Sequence, residues 1–333
     1  MTDRVEGSTP GLSGAAASAR LRLAARDGET VPQHSAPGGP LSPDASLSDA
    51  IAATLSNCLN RFSAHAAGLR QKYDAEAVHQ TRVALRRLRA LLGVIRSAVP
   101  CAARGEISAR AKEVASALGA ARDWDVLCEE LQRDAGELAK GEPALYALLD
   151  AAELRRFKAQ DQARLTIASP ATQAFEAQLR EFIARRGWLE GAEGIEEDGS
   201  ARAFSAKALH RLHRRAGKRC AEAERASPEE LHRARIAVKK LRYAAELFQE
   251  LFPGAKVRAY LRGLAKTQEH LGAANDLETA RRLLSEVAEA NNSQQCGVAV
   301  KFLQEMRARR DRKIIRSARG SDRRFRRLEP FWS

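Results

Sequence analysis

The sequence predicts an all-α protein built from two copies of one helical unit, and three observations support this. Alanine, leucine, arginine and glutamate are abundant, and these residues favour helices. Apolar residues recur at helical spacing along most of the chain, and no segment shows the sustained period-2 alternation of β-branched residues that is typical of strands. Two separate motifs recur at one offset of 153 residues, which indicates an internal duplication.

The longer repeated motif occupies residues 79–89 and 232–242, and five of its eleven positions are identical. The shorter motif occupies residues 118–123 and 271–276 and differs only where Arg122 is replaced by Asn275. The alanine matches carry little information in a chain so rich in alanine. Two separate matches in one register carry more, and they favour two copies that each contain one basic helix.

Each longer motif predicts a helix with its positive charges on one face, at about 100° per residue. No acidic residue lies between His79 and Arg96, or between His232 and Arg242. Like charges therefore stand three and four positions apart without acids in the same helix to offset their repulsion. Carboxylates of neighbouring helices or an anionic ligand must offset it, while Arg87 and Lys240 are expected to point elsewhere. The faces, called the cation rows below, consist of His79, Arg82, Arg86 and Arg89 and of His232, Arg235, Lys239 and Arg242.

Composition divides the chain into four segments. Residues 1–46 are rich in glycine, proline, serine, alanine and threonine, which predicts a disordered tail. Residues 191–200 contain glycines and acidic residues and are predicted to be a linker. The helical segments between and after them, residues 47–190 and 201–333, are each expected to form an antiparallel bundle because their connections are short.

Capping residues and prolines place the helices of the first copy. An amphipathic helix begins at Ser48, and Asp74 is predicted to cap the basic helix, which ends before Pro100. Gly119 is expected to break the following helix, with Asp123 capping the next one. Asp123 is otherwise expected to be a partner of a buried arginine, rather than a catalytic acid. The remaining helices of this copy are predicted over about residues 106–118, 143–167 and 170–186.

The second copy repeats these signals. Ser227, Pro228 and Glu230 predict an N-cap, a first helical residue and a capping box at the start of the second basic helix. Gly272 is expected to break the next helix, and Asp276 to be a cap or the partner of a buried arginine. The other helices are predicted over about residues 204–226, 257–271 and 298–316, with one between Asp276 and Asn291.

The charge balance favours a polyanionic partner. The chain has 56 lysines and arginines against 42 acidic residues, a net charge of +14. A basic excess of this size bears on partners rather than on fold. The five cysteines are odd in number and form no Cys-x-x-Cys motif, so neither disulfides nor a structural zinc site is expected, and a reducing cytoplasmic setting fits. No metal or cofactor is expected, because neither row histidine has a second ligand at i+3 or i+4. No apolar run approaches the roughly 18 residues that span a membrane.

The two longer motifs resemble the signature of the CHAD domain, the conserved-histidine α-helical domain. In that signature a histidine precedes an arginine by three positions, and a basic pair followed by leucine and arginine ends the motif. Residues 118–127 and 271–276 are similar to the family's second element, and the closing Phe331-Trp332 is similar to its usual end. The resemblance covers roughly residues 48–333. It departs from an even duplication where Gly93 and Arg122 are replaced by Glu246 and Asn275.

The resemblance implies a pair of four-helix bundles related by a pseudo-twofold axis, with both basic helices facing a central cleft. It also implies binding of inorganic polyphosphate, often at polyphosphate granules in the cytoplasm, and no catalysis. Some relatives carry a triphosphate-tunnel hydrolase domain with a Glu-x-Glu-x-Lys signature. This sequence contains no such signature, so the hydrolase activity is not expected here.

The eight residues of the cation rows are the predicted contacts with polyphosphate. An arginine fork can bind two phosphate oxygens at once, whereas Lys239 would act as a point charge. His79 and His232 would donate hydrogen bonds to phosphate oxygens, and a purely structural role for either histidine stays open. Four further residues are possible additional contacts: Arg262, Lys266, Lys313 and Tyr243.

Two other functions are compatible with part of the sequence. The charge would also suit a basic helical protein that binds nucleic acid. Base stacking requires aromatic side chains near the cations, however, and Tyr243 is alone on these faces, so only non-specific binding is expected. A phosphohydrolase would require metal-binding carboxylates or a nucleophile beside the cations, and the basic stretches contain neither.

Overall fold

The computed structural model describes residues 44–97, 102–137, 143–190, 200–223, 227–291 and 294–332. Apart from an isolated bridge between Ser46 and Ser200, the regular elements in these ranges are helices, which confirms the all-α prediction. Most of the predicted tail and linker lies outside the described residues. The α-helices are α1 (Leu47–Gln71), α2 (Ala75–Val94), α3 (Ala102–Glu137), α4 (Pro143–Ala168), α5 (Pro170–Ala184), α6 (Ala201–Glu222), α7 (Pro228–Phe248), α8 (Ala255–Asn291), α9 (Gln294–Arg319) and α10 (Ser321–Phe325).

The duplication in the sequence is also a duplication of helices. The basic helices α2 and α7 begin 153 residues apart, and so do the long helices α3 and α8. Each basic helix starts at the predicted cap. The Asp74 carboxylate accepts a hydrogen bond from the backbone N–H of Ala77 at 2.6 Å, and Ser227 forms a capping box with Glu230. Local sequence therefore sets where both basic helices begin.

The predicted breaks at Gly119 and Gly272 are wrong. α3 is 36 residues long and runs through Gly119 without a break. α8 is 37 residues long and likewise runs through Gly272. Asp123 and Asp276 therefore lie inside helices and do not cap them. A glycine in a helix interior costs only about 1 kcal/mol relative to alanine. The buried contacts that flank each glycine in the long helices offset a cost of that size.

Two hydrophobic cores lie along the long helices. The main core is formed by α1, α2, α6 and α7 with the N-terminal parts of α3 and α8, the C-terminal part of α4, α5 and the chain end. Each core contains residues of both copies. The distal core consists of Trp124, Leu127, Cys128, Leu131, Ala135, Leu145, Leu148, Ala152, Leu283, Leu284, Val287, Cys296, Ala299, Val300 and Leu303.

Two further features of the fold bear on the sequence predictions. Cys58, Cys128, Cys220 and Cys296 are buried free thiols, whereas Cys101 lies outside the described residues. In the described ranges, no helix has the length and apolarity that crossing a membrane requires.

A buried ion pair joins the two copies beside the distal core. Nε of Arg307, on α9, donates to the Asp134 carboxylate on α3 at 2.7 Å. Glu130 lies 3.7 Å from the same guanidinium. Arg307 and Asp134 are both buried. Because a buried carboxylate depends on its partner, this pair ties α9 of the second copy to α3 of the first.

We expect Arg307→Ala to lower the free energy of unfolding by about 3–5 kcal/mol, because it leaves Asp134 buried and unpaired. The matched control is Arg282→Ala, which removes the exposed partner of Glu286 on α8. An exposed pair contributes about 1 kcal/mol or less. Urea unfolding followed by circular dichroism measures both values, and equal losses in the two variants would contradict the structural role of Arg307.

Candidate anion-binding site

The two basic helices pack against each other, so the cation rows meet. The guanidinium carbon of Arg86, on α2, lies 5.5 Å from the centre of the Tyr243 ring, and Nζ of Lys239, on α7, lies 5.9 Å from it. Both distances are within the range of a cation–π interaction. Tyr243 therefore contacts one cation from each copy, at the place where the two rows come together.

Arg82 is largely buried between α2 and α3. A Cβ atom on Gly119 would lie only 2.8 Å from Nη1 of Arg82, so the glycine leaves the space that this guanidinium occupies. The same Nη1 atom is buried and has no hydrogen-bond partner among the described residues. Burial lowers the pKa of Arg82, repulsion by Arg86 adds to this, and attraction by Asp123 opposes it. Asp123 is thus an electrostatic partner of a buried arginine, which is the alternative role predicted for it.

The second copy places its histidine differently. His232 is exposed, and its Nδ1 lies 2.9 Å from Oδ1 of Asn275 on α8. With an amide oxygen as acceptor, Nδ1 of His232 is the donor in this bond. The first copy has Arg122 at the position of Asn275, and arginine carries no acceptor, so the half-buried His79 cannot make the same bond. Arg235 also has a buried Nε with no partner among the described residues.

The rows end in different environments. Arg242 is buried, and its Nε donates to the Glu246 carboxylate at 2.7 Å. Arg89, at the equivalent position of α2, is exposed and is followed four residues later by Gly93 instead of an acid. The protein itself therefore compensates much of the Arg242 charge, whereas α2 provides no such acid for Arg89.

Sequence reasoning missed four cations near the rows. One is Lys240: partial burial lowers its pKa, and repulsion by Arg215, Arg89 and Arg96 adds to this effect, so Lys240 lies near Arg89 even though it is not in the α7 row. Arg96 follows Arg89 by seven residues on the same helical phase, so the sequence contained a signal for it. No sequence signal indicates Arg215, because it lies on α6 and comes near Lys240 only through the packing of α6 on α7. The fourth is Arg122, which repels Arg82.

The remaining candidate contacts are exposed. Arg262 and Lys266 lie on the outer side of α8, and Lys313 lies on α9. Burial, Arg324 and then Lys266 lower the pKa of His270, which places Lys266 beside that histidine. No hydrogen bond or ion pair within the described ranges connects these three residues to the cation rows, and their role in binding stays a prediction. The same ranges contain no group of three or more histidine, cysteine, aspartate or glutamate residues that could hold a metal ion.

Comparison with known families gives one match over most of the sequence. The model of the CHAD domain matches residues 53–285, which include both cation rows and both short motifs. The chain therefore belongs to the CHAD domain family. No curated protein sequence matches the chain.

Two solved structures share the fold. The crystal structure of the CHAD domain from the plant Ricinus communis aligns with a TM-score of 0.73 and 31% identity, covering 88% of this chain and 96% of that chain. PptA from Streptomyces chartreusis aligns with a TM-score of 0.61 and 17% identity, covering 84% of this chain and 99% of that chain. At that identity, the likeness to PptA concerns the fold alone.

The close contact between Gly119 and Arg82 predicts an energetic coupling. In a protein with Arg82→Ala, Gly119→Ala should raise the free energy of unfolding by up to about 1 kcal/mol, because alanine favours the helix. In the wild-type background the gain should be smaller, because the new methyl group displaces the Arg82 guanidinium. A double-mutant cycle measured by urea unfolding gives the coupling, which we expect to be about 0.5 kcal/mol or more. Additive effects would show that the two residues are not in contact.

Proposed function

We propose that this protein binds inorganic polyphosphate without cleaving it, and that the two cation rows form the binding surface. Membership of the CHAD domain family supports this, because polyphosphate binding is what the resemblance to that family implies. One structural observation carries the proposal for this chain. The contact between α2 and α7 brings Arg86 of one copy and Lys239 of the other to a single ring, Tyr243.

The chemistry of the rows suits a polymer with one negative charge on each unit and no bases. Buried donors on Arg82 and Arg235 lack partners among the described residues, and an unsatisfied buried donor costs about 1–3 kcal/mol. Phosphate oxygens would satisfy such donors with charge-assisted hydrogen bonds. Because packed helices hold these side chains in place, little conformational freedom is lost when the polymer binds.

We also propose where the protein is located and that it does not cleave the polymer. A protein that binds the polymer and leaves it intact would accumulate wherever the polymer is stored, which we propose to be polyphosphate granules in the cytoplasm. The corresponding measurement is orthophosphate release from long-chain polyphosphate over hours, with and without divalent metal ions. We expect no release, and metal-dependent release would support an enzyme instead.

Charge removal in both rows tests the binding surface. We expect Arg82→Gln combined with Arg235→Gln to weaken polyphosphate binding by about a hundredfold, since each arginine would make charge-assisted hydrogen bonds with the polymer. The matched control, Lys301→Gln with Arg309→Gln, removes the same net charge from exposed positions on α9. Isothermal titration calorimetry measures affinity, and circular dichroism confirms that helicity is unchanged. Equal weakening in both double variants would show that only net charge matters.

A competition experiment separates polyphosphate from nucleic acid. Labelled long-chain polyphosphate is bound to the protein at physiological salt and displaced with unlabelled polyphosphate, single-stranded RNA or DNA. We expect polyphosphate to compete at far lower concentration per phosphate, because the rows offer a single aromatic side chain, Tyr243, for base stacking. Equal competition by either nucleic acid would favour the nucleic-acid-binding alternative.

A further inference from the structure

The α2 row ends in a group of cations that has no counterpart at the end of the α7 row. Arg89 belongs to α2, and Arg96 to the short 3-10 turn that follows α2. Lys240 belongs to α7 and Arg215 to α6. Within the described residues, none of the four forms an ion pair with a carboxylate. This group, called the Arg89 cluster, consists of Arg89, Arg96, Arg215 and Lys240.

The duplication allows a direct comparison of the two row ends. Arg242, the equivalent of Arg89, is paired with Glu246 at 2.7 Å. Gly93 occupies the position of that glutamate in the first copy. Four positive charges in the Arg89 cluster therefore stand against a net charge of one at the equivalent positions. The residues 153 positions from the four cations are Arg242, Gln249, Phe62 and Arg87. Counting Glu246, which pairs with Arg242, their net charge is one.

The two row ends differ in charge, and so do the terminal and internal phosphates of polyphosphate. Each internal phosphate carries one negative charge, whereas the phosphate at a chain end has a second ionisable oxygen. In a phosphate monoester, whose ionisation is similar, that oxygen has a pKa of about 6, which gives a charge of roughly −1.5 to −2 at neutral pH. A chain end therefore gains more than an internal phosphate from a concentrated group of cations.

We propose that the Arg89 cluster binds the terminal phosphate of a polyphosphate chain, so that one chain end is held where the α2 row ends. This inference rests on the proposed function and adds to it that the protein recognises a chain end. Burial lowers the pKa of Lys240, and repulsion by Arg215, Arg89 and Arg96 adds to this effect; the additional charge of a chain end would relieve that repulsion.

The test compares two forms of one short linear polyphosphate by calorimetry. In the second form, both terminal phosphates are converted to phosphoramidates of ethanolamine, which removes the second ionisable oxygen at each end and leaves every internal phosphate unchanged. We expect wild-type protein to bind the free-ended polymer about tenfold more tightly, the effect of losing one charge-assisted hydrogen bond.

Two variants make the α2 row end resemble its counterpart. Gly93→Glu places a carboxylate four residues after Arg89, as Glu246 stands after Arg242, and a Cβ at Gly93 would meet no atom within 4 Å. Arg96→Gln introduces the residue found at position 249. Gly93→Gln is the control, because it has the size of glutamate without its charge. We expect the preference for free ends to fall in Gly93→Glu and Arg96→Gln and to persist in Gly93→Gln.

Three results would overturn the inference. Equal binding of both polymers by wild-type protein would show that chain ends are not recognised, while polyphosphate binding itself would stand. An unchanged preference in Gly93→Glu and Arg96→Gln would place end recognition away from the Arg89 cluster. Failure of wild-type protein to bind either polymer would instead refute the proposed function, and the inference with it.

Discussion

Contact between two positively charged helices is the constraint on which the site depends. Leu85 and Leu88 of α2, with Val238 and Leu241 of α7, are at most 2% exposed. Full burial of such a side chain contributes about 1.5–3 kcal/mol, whereas a like-charge pair on a helix costs a few tenths. Because burial outweighs repulsion, the apolar faces hold both helices in the main core while the cations remain close together.

The long helices fix this arrangement from both sides. α3 packs along α2 and α8 packs along α7, and both then continue into the distal core. Gly119 lies next to Arg82, so a residue that is unfavourable in a helix interior provides the space for the Arg82 guanidinium. Arg307 links α9 to α3 across the copies. The rows therefore belong to one cooperative structure, and neither copy buries its cores alone.

Duplication produced two rows, and later substitutions made them unequal. Asn275 holds His232 where the first copy has Arg122, and Glu246 pairs with Arg242 where the first copy has Gly93. Both changes make the second copy less positively charged than the first at the equivalent positions. The ends of a phosphate polymer carry more charge than its interior, so they can bind more favourably to one row than to the other. Two identical rows would not allow this distinction.

The sequence by itself determined the helical class, the duplicated order of helices, the caps at Asp74 and Ser227, and the phase of both cation rows. These features follow from residue spacing and from capping interactions between residues a few positions apart. They do not depend on contacts between residues far apart in the sequence. Tertiary structure alone decided that α3 and α8 continue through Gly119 and Gly272, because packing along a helix can outweigh a local propensity of about 1 kcal/mol. It also decided that Lys240 lies near Arg215 and that Arg86 and Lys239 share the ring of Tyr243, since these neighbours come from helices far apart in sequence.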